Sequence, residues 1–308
     1  LRSKDSNNSI RAFPRGTVVH WLSGNVPLLG MFAVVQSILC KNTNLIKLSS
    51  NDNGALLEIL KIFNDVNYTN PAGKEIKGKD LLSTIGVLHF DRKNEKLSTL
   101  LSKNANVRIA WGGQEAVNSI IDLPKRLNCQ DIIYGPKLSM IFITKESLNN
   151  EKLLKKYLRR IATDCSVFDQ YACASPHNIF IEKGGIITPK DFAIRLSEAM
   201  EKTLQRLPKE SPEVAQSNKI KSKIAEFKFI GEYYSHPKLK WTVLFNKSTK
   251  ISKPTYSRVI TVNELDNLDS VIQDIDENIQ SIGLAASGKR RLKLAEKLAL
   301  KGVARLPD

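Results

Sequence analysis

The sequence has few of the residues that build metal centres and covalent cross-links. Its 308 residues include four cysteines and four histidines. The cysteines stand at positions 40, 129, 165 and 173, without close pairing and without a histidine cluster beside them. Zinc sites and disulfide frameworks depend on such groupings. We therefore predict no metal centre and no disulfide scaffold, and we expect the protein to work in a reducing compartment.

Long hydrophobic runs and targeting segments are also lacking. The longest apolar stretch, Val26 to Cys40, is interrupted by proline, glycine and glutamine, and it is too short to cross a bilayer. No signal peptide opens the sequence as given. We therefore predict a cytoplasmic protein without a membrane span. The composition, 42% hydrophobic and 25% charged, is typical of a globular protein, and the length suffices for two domains.

Acidic residues are in short supply relative to basic ones. There are 47 lysines and arginines against 31 aspartates and glutamates, which gives a net charge of +16. Such a balance attracts nucleic acids, phosphate-bearing cofactors or acidic proteins. The basic stretches 152–160 and 289–293 have apolar residues interleaved at helical spacing. This pattern favours solvated helix faces, and no nucleic-acid recognition motif accompanies it. A basic nucleic-acid-binding scaffold stays open as an alternative from a different functional class.

What the sequence does contain is an alternation of short apolar runs with helical patterns. The runs in its first half are residues 15–22, 44–48, 84–90 and 106–111. Helical patterns follow the first two runs, and this order predicts a parallel α/β sheet. After the fourth run, Gly112 and Gly113 form a turn that opens a helix. Backbone N–H groups in such a turn can approach a phosphate, although glycine turns also occur for geometry alone.

A proline-containing segment, Gly135-Pro-Lys137, separates a second half with the same character. Strands are predicted there at 138–143, 177–182, 241–246 and 258–262, and helices at 149–162, 189–206 and 287–301. No internal repeat or low-complexity tract is present. We therefore predict two domains, with bounds 1–134 and 135–308.

Cys173 stands in a context that suits catalysis. It lies in the run Asp169-Gln-Tyr-Ala-Cys-Ala-Ser-Pro176, between a basic amphipathic stretch and an apolar strand pattern. Its small neighbours leave room for a substrate carbonyl. A thiol is well suited to attack acyl and aldehyde carbons, because a useful fraction is thiolate near neutral pH. The alternative is that Cys173 is a small buried apolar residue, as most cysteines are.

Together these segments resemble the aldehyde dehydrogenase superfamily, and more closely the acyl-CoA (fatty-acid) reductases of bacterial luminescence systems. The matching segments are Phe13-Pro-Arg-Gly16, Gly24-Asn-Val-Pro27, Lys47-Leu-Ser-Ser50, Trp111-Gly-Gly-Gln-Glu115, Gly135-Pro-Lys137, Gln170-Tyr-Ala-Cys-Ala-Ser-Pro176 and Gly302-Val-Ala-Arg305. They occur in the family's order over nearly the whole chain. The resemblance implies an aldehyde-dehydrogenase-like α/β fold, with a Rossmann-like coenzyme domain followed by an α/β catalytic domain. Because the family carries further sequence on both sides, we expect this chain to be its central part.

The resemblance also implies roles for individual residues. Cys173 resembles the nucleophile that accepts the acyl group as a thioester. Asn25 resembles the asparagine whose amide stabilises the oxyanion, where a fixed donor lowers the barrier; the alternative is a turn residue. Lys47 resembles the lysine that holds the adenosine ribose, and the alternative is an exposed lysine. His177 could tune the thiol or move a proton, but a structural histidine at a strand start is the alternative.

Two departures from the aldehyde dehydrogenase pattern bear on the reaction. Ile133 stands where dehydrogenases place the glutamate that activates water, so an acyl-cysteine should persist and be open to reduction. Ser50 stands where dehydrogenases that prefer NAD place a carboxylate, so a 2′-phosphate is tolerated beside Lys47 and NADPH is the expected cofactor. The usual glutamate-phenylalanine-glycine-proline cofactor segment is not recognisable around Lys253-Pro-Thr-Tyr-Ser-Arg258.

The resulting hypothesis is reduction of a long-chain fatty acyl thioester to an aldehyde by NADPH, through acyl-Cys173. The resemblance implies acyl-CoA or acyl-protein as substrate, an acyl-protein synthetase as partner, assembly into an oligomeric fatty-acid reductase complex, and delivery of the aldehyde to luciferase. A short-chain CoA-acylating aldehyde dehydrogenase is the alternative within the same superfamily. Comparing rates on short and long acyl-CoA separates these two.

Overall fold

The computed structural model describes residues 12–24, 29–50 and 54–307. These residues form two compact units that divide between Pro136 and Lys137, two residues beyond the predicted boundary. Each unit is built around a mainly parallel sheet with helices connecting the strands. The predicted α/β class is therefore confirmed. None of the helices in the described ranges has the length and hydrophobicity that crossing a membrane requires.

The first unit contains a five-stranded parallel sheet. Its elements, in chain order, are β1 (Thr17–Trp21), α1 (Leu29–Leu39), β2 (Thr43–Lys47), α2 (Ala55–Ile62), β3 (Asn67–Thr69), β4 (Glu75–Lys77), α3 (Gly78–Leu82), β5 (Ile85–Leu88), α4 (Glu95–Asn104), β6 (Val107–Trp111), α5 (Gln114–Ile121) and β7 (Gln130–Tyr134). The strand order is β5-β2-β1-β6-β7, and β3 pairs with β4 in a separate antiparallel hairpin. The sheet is doubly wound, because the chain builds outward on one side of β1 and then crosses to the other.

A fully buried arginine fixes one side of this sheet. The side chain of Arg108, on β6, has no exposed surface and pairs with both carboxylate oxygens of Asp131 on β7, at 2.7 and 2.8 Å. It also donates to the carbonyl oxygens of Ile120 and Leu123, at the end of α5. One guanidinium therefore joins two strands to the carboxyl end of a helix, where cations are favoured.

The second unit contains a six-stranded sheet. Its elements are β8 (Leu138–Ile143), α6 (Glu151–Ser166), β9 (Pro176–Glu182), α7 (Pro189–Arg206), α8 (Val214–Ile230), β10 (Gly231–Ser235), β11 (Thr242–Lys247), β12 (Val259–Leu265), α9 (Asp269–Ile272), β13 (Ile279–Ala285) and α10 (Gly288–Leu300). The order is β10-β11-β12-β9-β8-β13, and among the described strands of this sheet only the β10–β11 pair is antiparallel. Strand β9 lies inside the sheet, and all seven of its residues are buried. Its side chains alternate between two cores, Ile179 and Ile181 facing one and Phe180 the other.

The predicted strands and helices are confirmed with small shifts at their ends. The sequence did not predict α3, α4, α8, α9, β3, β4, β7, β10 or β13. Strand β13 has the sequence Ile-Gln-Ser-Ile-Gly-Leu-Ala, in which small and polar residues obscure the apolar pattern of a buried strand. Strand β7 is largely exposed and forms the sheet edge, so its short Ile-Ile-Tyr run does not extend into the longer apolar pattern of a buried strand.

Candidate functional site

The carboxyl end of the first sheet holds the predicted cofactor residues. One rung across the parallel strands, from β5 to β7, consists of Leu88, Lys47, Trp21, Ala110 and Ile133. The chain leaves β1 toward β2 and later returns to its other side at β6, so a topological switch point lies between β1 and β6. Open α/β sheets bind their ligands in the crevice at such a switch point.

Lys47 ends β2 and is largely buried, with 8% of its surface exposed. Its Nζ atom lies 5.5 Å from the centroid of the Phe90 ring. Burial lowers the pKa of Lys47, and the Asp91 carboxylate opposes this shift. Ser50 lies three residues later in an exposed turn. The same end of one strand thus carries a partly desolvated ammonium and a neutral hydroxyl.

Gly112 and Gly113 connect β6 to α5. The N–H of Gly112 donates to the carbonyl oxygen of Tyr134 at 3.2 Å, and a Cβ at Gly112 would stand 3.1 Å from that of Ala116. Gly113 is the N-cap residue of α5, and a Cβ there would meet no atom within 4 Å. The first turn of a helix has N–H groups without intrahelical partners, and these bind phosphate well. The start of α5 at Gly113 is therefore open to an approaching phosphate group.

Cys173 lies in a turn immediately before β9. It is exposed, whereas Cys129 and Cys165 are buried and Cys40 is half-buried. Its carbonyl oxygen accepts a 2.7 Å hydrogen bond from the hydroxyl of Ser139 on β8. The turn is thereby attached to a neighbouring strand of the sheet, while the thiol-bearing residue stays accessible. The predicted alternative, a buried apolar cysteine, is wrong for this position.

Two short segments of left-handed backbone meet beside this turn. Residues 168–170 have φ between 50 and 67°, and residues 256–258 have φ between 61 and 63°. No residue of either segment is glycine, so each backbone conformation costs roughly 1–3 kcal/mol. The guanidinium of Arg258 pairs with Asp169 at 2.6 Å, and the N–H of Ser257 donates to the carbonyl oxygen of Asp169 at 2.9 Å. These contacts hold both segments in the strained conformation. Asp169, which makes both contacts, lies four residues before Cys173.

Two further side chains complete this support. The ammonium of Lys209 donates to the carbonyl oxygen of Ser257 at 2.8 Å and also contacts its hydroxyl. Burial lowers the pKa of Lys209 to about 8, against the opposing effect of Asp169. The amide of Gln170 donates to the carbonyl oxygen of Pro176 at 2.8 Å, across the Cys173 turn. The turn is thus held by the Gln170 side chain on one side and by Ser139 of β8 on the other.

His177 lies at the start of β9 and is buried, 6% exposed. Its ring makes an edge contact with Tyr256, at 5.2 Å between centroids, and Tyr256 stacks on Tyr171. Its Nδ1 atom has no hydrogen-bond partner among the described residues. Burial lowers the pKa of His177 to about 4, so the ring is neutral near pH 7. These surroundings favour the structural alternative over a proton-transfer role.

Replacing His177 by phenylalanine should remove an acid-sensitive contribution to stability. The folded-state pKa lies below the unfolded value of about 6.5, so the unfolded chain binds more protons between pH 4 and 6.5. This contribution is complete above pH 6.5 and is lost as the pH falls toward 4, by about 3 kcal/mol in the parent. Urea unfolding at pH 7 and pH 4.5 measures the difference. His89→Phe, at an exposed position of the other unit, should keep the parent's sensitivity, and a loss of Cys173 reactivity in His177→Phe would contradict the structural role.

The structure places the predicted residues in two groups. Lys47, Ser50, Gly112 and Gly113 share the carboxyl end of the first sheet, and Cys173 and His177 flank the start of β9. Asn25 lies outside the described residues. Sequence reasoning missed Asp169, Lys209 and Arg258, since nothing in one sequence signals a pairing across about ninety residues. Within the described ranges, no three acidic, histidine or cysteine side chains converge as metal ligands do.

Comparison with known proteins agrees with these features. The chain matches the family described as acyl-CoA reductase (LuxC) over residues 2–308. It is 27% identical over 303 residues to a long-chain acyl-protein thioester reductase of Aliivibrio fischeri, covering 97% of this chain and 59% of that protein. The chain thus spans about three fifths of the length of the curated relatives that it matches.

Solved structures of aldehyde dehydrogenases share the fold. An NAD-dependent aldehyde dehydrogenase from Burkholderia multivorans has a TM-score of 0.72 at 14% identity, covering 96% of this chain and 56% of that one. A 1-pyrroline-5-carboxylate dehydrogenase from Thermus with bound NAD has a TM-score of 0.67 at 14% identity, covering 96% and 58%. The predicted aldehyde-dehydrogenase-like fold is therefore confirmed.

Proposed function

Since this chain belongs to the acyl-CoA reductase (LuxC) family, we propose that it reduces a long-chain fatty acyl thioester to a fatty aldehyde through an acyl group on Cys173. The observation that carries the proposal is the position of this cysteine. It is exposed in a turn that the surrounding structure holds on both sides, while Cys129 and Cys165 are buried. A nucleophile needs this combination of access and fixed geometry.

The first step is transfer of the acyl group. The Cys173 thiolate attacks the thioester carbonyl, and the C–S bond to the incoming carrier breaks as the oxyanion collapses. The carrier leaves as its thiol after taking the proton that Cys173 gave up. The oxyanion needs fixed hydrogen-bond donors while it exists, and the family resemblance implies the amide of Asn25 as one of them.

The second step releases the aldehyde. A bound nicotinamide cofactor supplies the hydride for this reduction. Reduction of the thioester leaves a thiohemiacetal at Cys173. Its C–S bond then breaks, the electron pair returns to sulfur, and the aldehyde leaves. Ile133, at the position where dehydrogenases carry their general base, can accept no proton from water. An acyl group on Cys173 is therefore protected from hydrolysis and persists until reduction.

The proposed cofactor is NADPH, held by the first unit. The start of α5 at Gly113 is open to its pyrophosphate, and Lys47 and Ser50 lie at the carboxyl end of the same sheet. A carboxylate at position 50 would repel a 2′-phosphate, whereas the neutral Ser50 hydroxyl tolerates it. The relatives of known fold named above include an NAD-dependent enzyme, which supports nicotinamide chemistry, and Ser50 supports the phosphorylated form.

The proposed partners follow from the family. The acyl group arrives from acyl-CoA or from an acyl-protein synthetase, within an oligomeric fatty-acid reductase complex, and the aldehyde supplies a luminescence reaction. The net charge of +16 suits the phosphates of CoA and NADPH and an acidic partner surface.

Intact-protein mass spectrometry tests the reaction. Incubation with tetradecanoyl-CoA alone should add one tetradecanoyl group to the protein, and that group should persist over the time of the experiment. NADPH should then discharge it as tetradecanal, at least about tenfold faster than NADH at the same concentration, because a matched phosphate contact stabilises binding by more than 1.4 kcal/mol.

A matched variant separates the cofactor from the chemistry. Ser50→Glu should form the same adduct and lose the preference for NADPH. Equal discharge of the parent by both cofactors would contradict the NADPH assignment and leave the acyl-cysteine intact. Faster acylation by acetyl-CoA than by tetradecanoyl-CoA would favour the short-chain CoA-acylating enzyme, and no adduct from either would overturn the proposal.

A further inference from the structure

A cavity of about 300 Å³ lies within the second unit, between α6 and the strands β8 and β13. Its floor consists of three rungs of the parallel pair β8–β13, namely Ser139 with Ser281, Ile141 with Gly283, and Ile143 with Ala285. Side chains at alternate positions of a strand point to one face, so these six residues share the face that α6 covers. Small residues on β13 leave the space that larger ones would fill.

One end of the cavity adjoins the nucleophile. Ser139, in the first rung, donates its hydroxyl hydrogen bond to the carbonyl oxygen of Cys173. Ala174, the next residue in the chain, lines the cavity itself. The cavity therefore begins at the residue that follows Cys173 in the chain.

The cavity is polar at this end and apolar at the other. Helix α6 connects two parallel strands, β8 and β9, and so runs antiparallel to them. Asp164, in its last turn, and Arg160, one turn earlier, therefore form the polar part of the lining on the side of the Ser139 rung. Tyr157 lies a further turn toward the rung of Ile143 and Ala285. Most of the lining away from the serines is hydrocarbon.

A buried hydroxyl at the polar end has an unmet hydrogen bond. Ser281 is 6% exposed, and its Oγ atom has no partner among the described residues. Buried polar groups are nearly always paired, and an unpaired one calls for an explanation such as a ligand. The polar head of a ligand at the Cys173 end would supply the missing partner.

We infer that this cavity binds the acyl chain of the thioester formed on Cys173, with the polar head beside Ser281 and the tail toward Ile143 and Ala285. The inference rests on the proposed function. From the first rung to the third the floor is about 13 Å long, because a strand rises roughly 3.3 Å per residue. A strand spans that length with about twelve backbone atoms, so an extended hydrocarbon of about twelve carbons fits. The volume agrees, since it equals that of about ten water-sized groups.

The test is the dependence of Cys173 acylation on chain length. A series of saturated N-acetylcysteamine thioesters, which lack the CoA nucleotide, isolates the acyl chain from the rest of the carrier. The rate should rise with chain length and level off at about twelve carbons. Gly283→Val should lower the rate about tenfold for long chains and leave that for acetyl unchanged, because its methyl groups occupy space equal to about two methylenes.

Two further variants and a control accompany Gly283→Val. A Cβ at position 283 would stand 3.3 Å from the Cγ1 atom of Ile141, so Gly283→Ala needs only a small shift and should show a weaker form of the same effect if the valine variant does not fold. Ser281→Ala should lower acylation about fivefold at every chain length while leaving thermal stability unreduced, as expected for loss of one ligand hydrogen bond. Ile282→Val, on the opposite face of β13, should change neither profile.

The outcomes are distinct. If the parent is acylated and the three variants Gly283→Val, Gly283→Ala and Ile282→Val all have the same chain-length profile as the parent, the cavity inference fails and the proposed function stands. If no thioester acylates the parent while iodoacetamide still modifies Cys173, the proposed function fails and the cavity inference fails with it.

Discussion

Replacing Cys173 by alanine should lower acyl transfer from tetradecanoyl-CoA by at least about a thousandfold, the size of effect seen when a covalent nucleophile is removed. The effect is large because the two buried cysteines are poorly placed to take over the covalent step. Cys129 and Cys165 are buried, and burial raises the pKa of each thiol, which disfavours the thiolate. The measurement is the rate of adduct formation by intact mass, followed by the yield of tetradecanal with NADPH.

Cys165→Ala is the matched control for this variant. It removes a thiol eight residues away, on α6, that packs in the core of the second unit. We expect a small loss of stability and an unchanged acylation rate. An adduct that persists in Cys173→Ala and disappears in Cys165→Ala would identify Cys165 as the nucleophile and overturn the mechanism.

Replacing Arg108 by methionine should lower the free energy of unfolding by about 3–5 kcal/mol, the usual cost of breaking a buried ion pair from one side. The methionine side chain keeps the volume but leaves the carboxylate of Asp131 with Lys125 as its remaining cation in the described network. The carbonyl oxygens of Ile120 and Leu123 lose their donor as well. Urea unfolding at neutral pH measures the loss.

The pair also has a pH signature. The Arg108 guanidinium holds the pKa of the Asp131 carboxyl below its usual range. The pair therefore stabilises the fold fully above the unfolded pKa of about 3.9. This contribution is lost as the pH falls through the lower pKa of the folded state. Arg126→Met is the control, since Arg126 is exposed and its side chain makes one described hydrogen bond, to the carbonyl oxygen of Lys103. It should cost less than about 1 kcal/mol. Equal losses in the two variants would show that burial of Arg108 is not what stabilises this unit.

Arg108 also connects stability to the cofactor end of the first unit. It holds the carboxyl end of α5, the helix whose amino end carries Gly113. Releasing that end should let α5 shift against β6 and weaken NADPH binding in a variant that is still folded at low temperature. The binding site and the stability of this unit therefore depend on the same helix.

The α/β class, the family and most of the strands could be predicted from the sequence, and Cys173 could be proposed as the nucleophile. Runs such as 15–22 and 138–143 are apolar whatever surrounds them, because a strand buried on both faces needs such residues along its length. Cys173 and its small neighbours are adjacent in the chain, so their chemistry could be inferred before any fold was known. The absence of a carboxylate at Ile133 is likewise a property of one residue.

Only the tertiary structure decided which residues support that chemistry. Asp169 and Arg258 are 89 positions apart, and Ser139 meets Ser281 only because β13 is placed beside β8. The cavity exists because serine, glycine and alanine alternate along one face of β13, and those same residues hid the strand in the sequence. Periodicity records which side of an element is buried, but pairing across a sheet depends on the packing of segments that are distant in the chain.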